Sequence, residues 1–321
     1  MSETLKLNHP WLVAVWPGMG HVAISAGYYL MAKLGMHLLA EFSPRELFDA
    51  DHVEVNQGII SSGRLPRSRF FVWQDPQGQR DLVVFIGEAQ PPLGKYAFCR
   101  KLIEFAQDIG IERVFTFAAL ATQMHPQRQP SVFCAATSQA QLTDLHNLQL
   151  QVLNEGRIGG LNGILLWAAA EAGLNGVCRL GEIPHIMSQL PFPAASLAVL
   201  RAFQSLAGIE VDLTELTDQA QVMNEKLGEL LAEAEQALQE VEPAEKEAED
   251  FAAPVVQPRL SAVEEERIER LFEQAKLDKA NAYELKQELD RLDVFAEYEN
   301  RFLDLFKKDE PSSDTHEGDA A

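Results

Sequence analysis

The chain has 321 residues, 46% of them hydrophobic and 23% charged, and a formal net charge of −21. Its length exceeds the roughly 100–200 residues of one domain, so one sizeable core plus an appendage is expected. Lys plus Arg against Asp plus Glu is 15 to 18 over residues 1–214 and 12 to 30 over 215–321, an acidic excess that disfavours polyanions, so nucleic acid is not an expected partner.

In chain order, Trp11 to Trp16 is a short apolar run, followed by Pro17-Gly18-Met19-Gly20 and a helical periodicity from Val22 to Leu34. Gly35 closes that helix, and His37 to Phe42 reads as a second strand. Ser43-Pro44-Arg45-Glu46 has the grammar of a helix start, with serine at the cap and proline next, predicting a short helix through Phe48. Arg69 to Trp73 and Leu82 to Gly87 flank the turn residues Asp75-Pro76-Gln77-Gly78 and predict an antiparallel hairpin. Arg64, Arg67 and Arg69 read as the solvent face of an alternating strand, paired with acids such as Asp75 or Asp81.

Lys95 to Ile109 carries apolar residues at helical spacing up to Gly110, and Val114 to Leu120 is continuous enough for a fully buried strand. Val132 to Ala136 reads as a strand, Gln139 to Leu145 as a short helix, Leu148 to Leu153 as a strand, and Ala194 to Ala207 as a helix ended by Gly208. The alternation predicts a three-layer α/β domain around a mixed central sheet over residues 8–214.

After Asp212 the pattern changes. Leu216, Met223, Leu227 and Leu230 lie on a heptad-like stripe running to Val241, which predicts a long helix in coiled-coil contact with another helix. A Pro-rich, charged linker is expected near 242–260, and capping-box patterns at Ser261 to Glu264 and Asn281 to Glu284 open two more helices. The second bears Leu285, Leu289, Leu292 and Phe295, completing an apolar interaction stripe within an acidic helical extension, 215–308. Residues 309–321 read as a disordered tail.

Cys99, Cys134 and Cys178 form no C-x-x-C pair, which points to reduced thiols and a cytoplasmic setting. No apolar run approaches the roughly 20 residues needed to span a bilayer. No metal-ligand spacing is present, and no cofactor is expected. Gly18-x-Gly20-x-x-Ala23 between a strand and a helix, with Glu41 closing the next strand, fits the order of a dinucleotide fingerprint. Gly18, Gly20, His21 and Asn162 are therefore the candidate ligand-binding residues of an alternative reading, in which the chain is a small-molecule or nucleotide-binding enzyme. The simpler readings are a capping or surface role for His21 and a helix N-cap for Asn162.

From Gly156 the sequence runs Gly-Arg-Ile-Gly-Gly-Leu-Asn-Gly, a small-residue helix, Gly173-Leu174-Asn175-Gly176, Leu180-Gly181-Glu182-Ile183-Pro184, and Pro191 before a helix. With Pro17-Gly18-Met19-Gly20-His21-Val22-Ala23 at the start and Gly208-Ile209-Glu210-Val211-Asp212-Leu213 at the end, this resembles the proteasome assembly chaperone 2 family over about residues 8–225, as a bacterial-type member with a C-terminal helical extension. The resemblance implies a phosphorylase-like α/β fold, homo-oligomers and a chaperone or protein-binding role without catalysis, with a proteasome or another protein assembly as partner. The last residues, Gly318-Asp319-Ala320-Ala321, differ from the hydrophobic-tyrosine-x ending by which such chaperones dock, so docking by that route is not expected.

Overall fold

The structure is a computed structural model and describes residues 6–42, 45–48, 53–62, 65–148, 150–240, 260–292 and 294–307. Ser43, Arg64, the linker between 242 and 258 and the tail from 309 lie outside the described residues.

The chain opens with β1 (Trp11–Val15), α1 (Val22–Lys33) and β2 (His37–Phe42), followed by a small hairpin of β3 (Val53–Asn56) and β4 (Ile59–Ser62). Next come β5 (Ser68–Trp73), β6 (Leu82–Gly87), α2 (Lys95–Asp108), β7 (Arg113–Thr122), β8 (Val132–Ala136), α3 (Gln139–Asn147) and β9 (Gln151–Val152). The α/β part closes with α4 (Gly160–Glu171), β10 (Asn175–Pro184) and α5 (Pro193–Ala207). The helices α6 (Thr214–Glu240), α7 (Ala262–Leu277), α8 (Ala282–Arg291) and α9 (Phe295–Asp304) follow.

Eight strands form one sheet in the order β2-β5-β6-β1-β7-β10-β8-β9. Its centre, β6-β1-β7-β10, is parallel, while β5 is antiparallel to both β2 and β6, and β8 is antiparallel to β10. Strand side chains alternate between faces. Val13, Val15, Phe115, Phe117, Val177 and Ile183 pack under α1 and α5, whereas Leu12, Ala14, Val83, Phe85 and Leu180 pack under α2 and α4. This is the three-layer α/β arrangement around a mixed sheet that the sequence pattern indicates, with helices added at the C-terminal end.

The added helices share the core of the α1 face. Tyr28 lies edge-on to Phe295 and Phe302, at ring distances of 5.3 and 5.5 Å, and its hydroxyl donates to Glu299 at 2.6 Å. The Leu38 N–H on edge strand β2 donates to the Phe306 carbonyl. That cover inverts the environment of Arg69, which is 1% exposed and not on a solvent face. Its guanidinium lies 3.4 Å from Glu41 and 3.5 Å from Glu88 and donates to Asn300 of α9 at 3.2 Å.

Three local expectations are corrected. Asn281 makes no side-chain cap; Asp278 accepts from Ala280 N–H and starts a 3-10 turn ahead of α8. The predicted second helix is two, because Val294 N–H returns to the Leu289 carbonyl and the chain turns before α9. No coiled coil forms among the described residues: α6 lays its stripe along α5, inside the common core.

Candidate functional site

At the end of β1, Gly18 to His21 forms a 3-10 turn in which Gly20 adopts φ +62° and His21 φ +49°. The positive φ explains glycine at position 20. Gly20 N–H donates to the Ser188 carbonyl at 3.1 Å, and its own carbonyl accepts from Phe192 N–H at 2.9 Å. Ile183 lies against the same residue. The loop between β10 and α5 thus closes over this turn and uses the backbone groups that a dinucleotide would need. Glu41, the acid such a cofactor would bind, faces Arg69 instead. Gly18 is open and His21 is exposed.

Asn162 lies across the sheet, in the first turn of α4. It is not the helix cap: Gly159 precedes the helix, and Gln90, just beyond β6, accepts from Leu161 N–H at 3.1 Å. The Asn162 carbonyl accepts from the Thr116 hydroxyl at 3.3 Å, and its Oδ1 is buried with no hydrogen-bond partner among the described residues. The structure therefore does not bring Asn162 and the Gly18–His21 turn together around one cavity: α1 and α4 stand on opposite faces of the sheet. Among the described residues no group of three or more His, Cys, Asp or Glu could hold a metal.

Most of the apolar stripe lies in the chain's own core. Leu216, Leu227, Leu285 and Leu289 are buried there, and Met223, Leu292 and Phe295 are packed against it; Leu230, at 62% exposure, faces outward.

Unpartnered surface lies elsewhere. Every residue from 53 to 61 in the β3–β4 hairpin is exposed, with Val53, Val55, Ile59 and Ile60 at 56–72%. The register sets Val55 opposite Ile60 and Val53 opposite Ser62, so Val53, Val55 and Ile60 share one face. The hairpin bends at Gln57 and Gly58, both at positive φ, as a two-residue type I′ loop requires. At the opposite edge of the sheet, a groove of about 760 Å³ runs between α5, α6 and the β8–β9 margin. Val132, Leu150, Leu197 and Ala220 give it an apolar lining, with Arg201 and Asn224 among its polar residues. Nothing in the hydrophobic pattern marked the hairpin as uncovered, and the groove depends on contacts distant in sequence.

A profile of the PAC2 family matches residues 12–231. The chain belongs to the PAC2 family. An uncharacterised protein of Methanocaldococcus jannaschii is 26% identical over 259 residues, covering 77% of this chain and 94% of that one. Among solved structures, PbaB of Pyrococcus furiosus, an archaeal proteasome activator, is 25% identical with a TM-score of 0.59 over 70% of this chain and 94% of its own. A proteasome-assembly chaperone homologue of Mycobacterium tuberculosis shares the fold at 24% identity, with a TM-score of 0.61 over 70% and 96%. The family match ends inside α6, so α7–α9 lie beyond it.

The Gly181-Glu182 pair of this PAC2-family chain has a clear physical role. A Cβ at position 181 would meet the Ala195 carbonyl and the Val199 side chain at 3.0 Å, so glycine lets α5 lie close on β10. Glu182 accepts from the Thr122 hydroxyl at 2.8 Å and Ser131 N–H at 3.2 Å and pairs with Arg128 at 2.6 Å. It ties the segment between β7 and β8 to the sheet.

Proposed function

We propose that this PAC2-family chain is a non-enzymatic protein-interaction or assembly factor that works as a cytoplasmic homo-oligomer, with a proteasome or another protein assembly as its client. The observation that carries the reading is the β3–β4 hairpin, which holds four large apolar side chains in water with no core of its own. An isolated two-stranded hairpin is marginal in water, and exposed apolar patches mark interaction sites. The likeness to PbaB, described as a proteasome activator, supports the choice of client. The cytoplasmic setting rests on three free, buried cysteines, and no helix among the described residues is long and apolar enough to cross a membrane.

Light scattering coupled to size exclusion on the full chain tests self-association: a mass of two or more chains is expected, and a monomer at tens of micromolar would overturn it. Thermal shift against nucleotides, nucleosides and phosphate tests the enzyme reading. A ligand at 100 times its dissociation constant would add about 2.7 kcal/mol. No shift is expected, because the Gly18–His21 turn is filled by the chain itself.

A further inference from the structure

The groove between α5, α6 and the β8–β9 margin, about 760 Å³, has the size of a small-ligand site. On α5, Ala194, Ala198 and Ala202 recur once per turn, so this wall carries methyl groups where longer side chains would fill the space. On α6, Thr217, Gln221 and Glu225 form a facing row with the same spacing. At one end of that row Arg201 donates to the Thr217 hydroxyl at 3.2 Å; at the other, Glu225 accepts from the Gln221 amide at 3.0 Å. Glu225 lies eight residues after Thr217, a rise of about 12 Å. Neither Arg201 nor Glu225 has an ion-pair partner among the described residues. The groove is thus an apolar trough with an uncompensated cation at one end and an uncompensated anion at the other.

Two further features restrict what fits. Just past Glu225 on α6 is Gly228, where a Cβ would collide with the side-chain amide of Gln127. Glycine there lets the segment between β7 and β8 rest on the helix, which stops the groove at the Glu225 end, so a chain end fits there and a chain passing through does not. Beside Glu225, Asn224 lines the groove with its Oδ1 buried and without a hydrogen-bond partner among the described residues, an acceptor that lacks an N–H. Gln129, Gln151 and Gln221 add carboxamides, which donate and accept as a peptide backbone does.

We propose that this groove binds a short free peptide in extended form, with its N-terminal ammonium at Glu225 and its C-terminal carboxylate at Arg201. An extended chain of about four residues covers the distance between the two charges. Its first amide N–H groups lie at the Asn224 end and supply the missing donor. The alanine wall favours small apolar side chains. A segment inside a protein carries neither terminal charge, and a protein's N-terminal tail carries only the ammonium, so charge complementarity at both ends selects a free peptide. The site needs neither self-association nor a client assembly, and the two readings stand or fall separately.

The experiment titrates the full chain with tetra-alanine by calorimetry and equilibrium dialysis, alongside N-acetylated tetra-alanine, C-amidated tetra-alanine and an ω-amino fatty acid of the same span. Tetra-alanine is expected to bind with a dissociation constant at or below about 1 mM. Each cap should weaken binding by about three- to fivefold, the effect of losing one exposed ion pair. The ω-amino fatty acid, which has no internal amides, should bind about tenfold more weakly, because Asn224 Oδ1 is left without a donor. Arg201→Gln should weaken tetra-alanine by the same three- to fivefold, roughly, and leave the C-amidated peptide unchanged; Glu225→Gln should do the same with respect to the N-acetylated one. Both side chains are exposed, and circular dichroism checks that the variants fold. No binding of tetra-alanine up to about 10 mM would overturn the proposal, being weaker than any specific site of this size. Full affinity in both variants would overturn the groove as the site. Loss on N-acetylation without loss on C-amidation would overturn the free peptide in favour of a protein's N-terminal tail. A monomeric wild type in light scattering would overturn self-association and leave this site standing.

Discussion

Arg179 is a buried charge without a partner among the described residues. It is 0% exposed in the central strand β10, and none of its three guanidinium nitrogens has a hydrogen-bond partner among the described residues. Its neighbours in register are Phe117 on β7 and Cys134 on β8, and its place between Val177 and Ile183 in the alternation sets it on the α1–α5 face. Burial pulls the guanidinium below its ordinary value, and arginine keeps its charge in proteins. An unpaired buried charge is a net penalty, so Arg179→Met should raise stability by about 1–4 kcal/mol, read as a higher urea midpoint. A fall in midpoint would mean that the guanidinium contributes to packing more than its charge costs. Glu182 behaves in the opposite sense. Burial pushes its carboxyl up, but the bonds from Thr122 and Ser131 and the charge of Arg128 together outweigh this and hold it below the ordinary value. A carboxylate depressed on folding contributes stability that is fully present above its unfolded value, about 4.3, and is lost as pH falls through the folded value. Glu182→Gln should therefore cost about 1–3 kcal/mol at pH 7, with the gap to wild type narrowing below about pH 4. A gap that stays constant down to pH 3 would rule out the charged form as the source.

At the scale of elements, α9 distinguishes an appendage from a part of the core. Phe302 is 0% exposed, edge-on to Tyr28 and Phe295 and tilted against Phe306. Phe302→Ala should cost about 3–5 kcal/mol. Leu230→Ala, on the outward side of α6, should stay within about 0.5 kcal/mol. Comparable urea midpoints for the two variants would show that α9 is not part of the packing. Much of this was legible from residue patterns. The continuous apolar runs of β1 and β7 and the capping box at Ser261 announce themselves locally, and the box forms as read. The β3–β4 hairpin was not legible, because its loop is Gln57-Gly58, without the Asn-Gly dipeptide that signals such turns. The break between α8 and α9 carries no glycine or proline; it follows from how Leu289 and Val294 pack. For the candidate site, the glycine turn at Gly18–His21 could be read as a turn, but not that residues 188 and 192 fill it. The amphipathic stripe of α6 and α8 was equally visible, yet periodicity says only that a face is buried. That α5 and α1 bury most of it is a tertiary fact.

For the whole molecule, the main consequence is that the α/β layers and the C-terminal helices close one continuous cluster. Leu285, Leu289, Phe302 and Phe306 belong to the same buried set as Val13, Val84 and Phe115. Polar contacts reinforce the joint. Tyr29 hydroxyl donates to the Asp212 carbonyl at 2.7 Å, Lys33 pairs with Glu215 at 2.6 Å, and Tyr283 hydroxyl donates to Gln219 at 2.5 Å. Lys33 and Glu215 are partly in water and add little, so apolar burial must hold the two parts together. Two parts that share a core cannot unfold separately without exposing it, so loss of either should bring loss of the other. The four tryptophans, Trp11, Trp16, Trp73 and Trp167, all lie in the α/β part, whereas far-ultraviolet circular dichroism also registers the long helices after Thr214. Tryptophan fluorescence and circular dichroism should therefore give coincident urea transitions, the test of a cooperative unit. A circular dichroism transition that starts at lower urea, while fluorescence remains native, would mean that α7–α9 detach first, and the joint at Tyr28 would then be weaker than its burial implies.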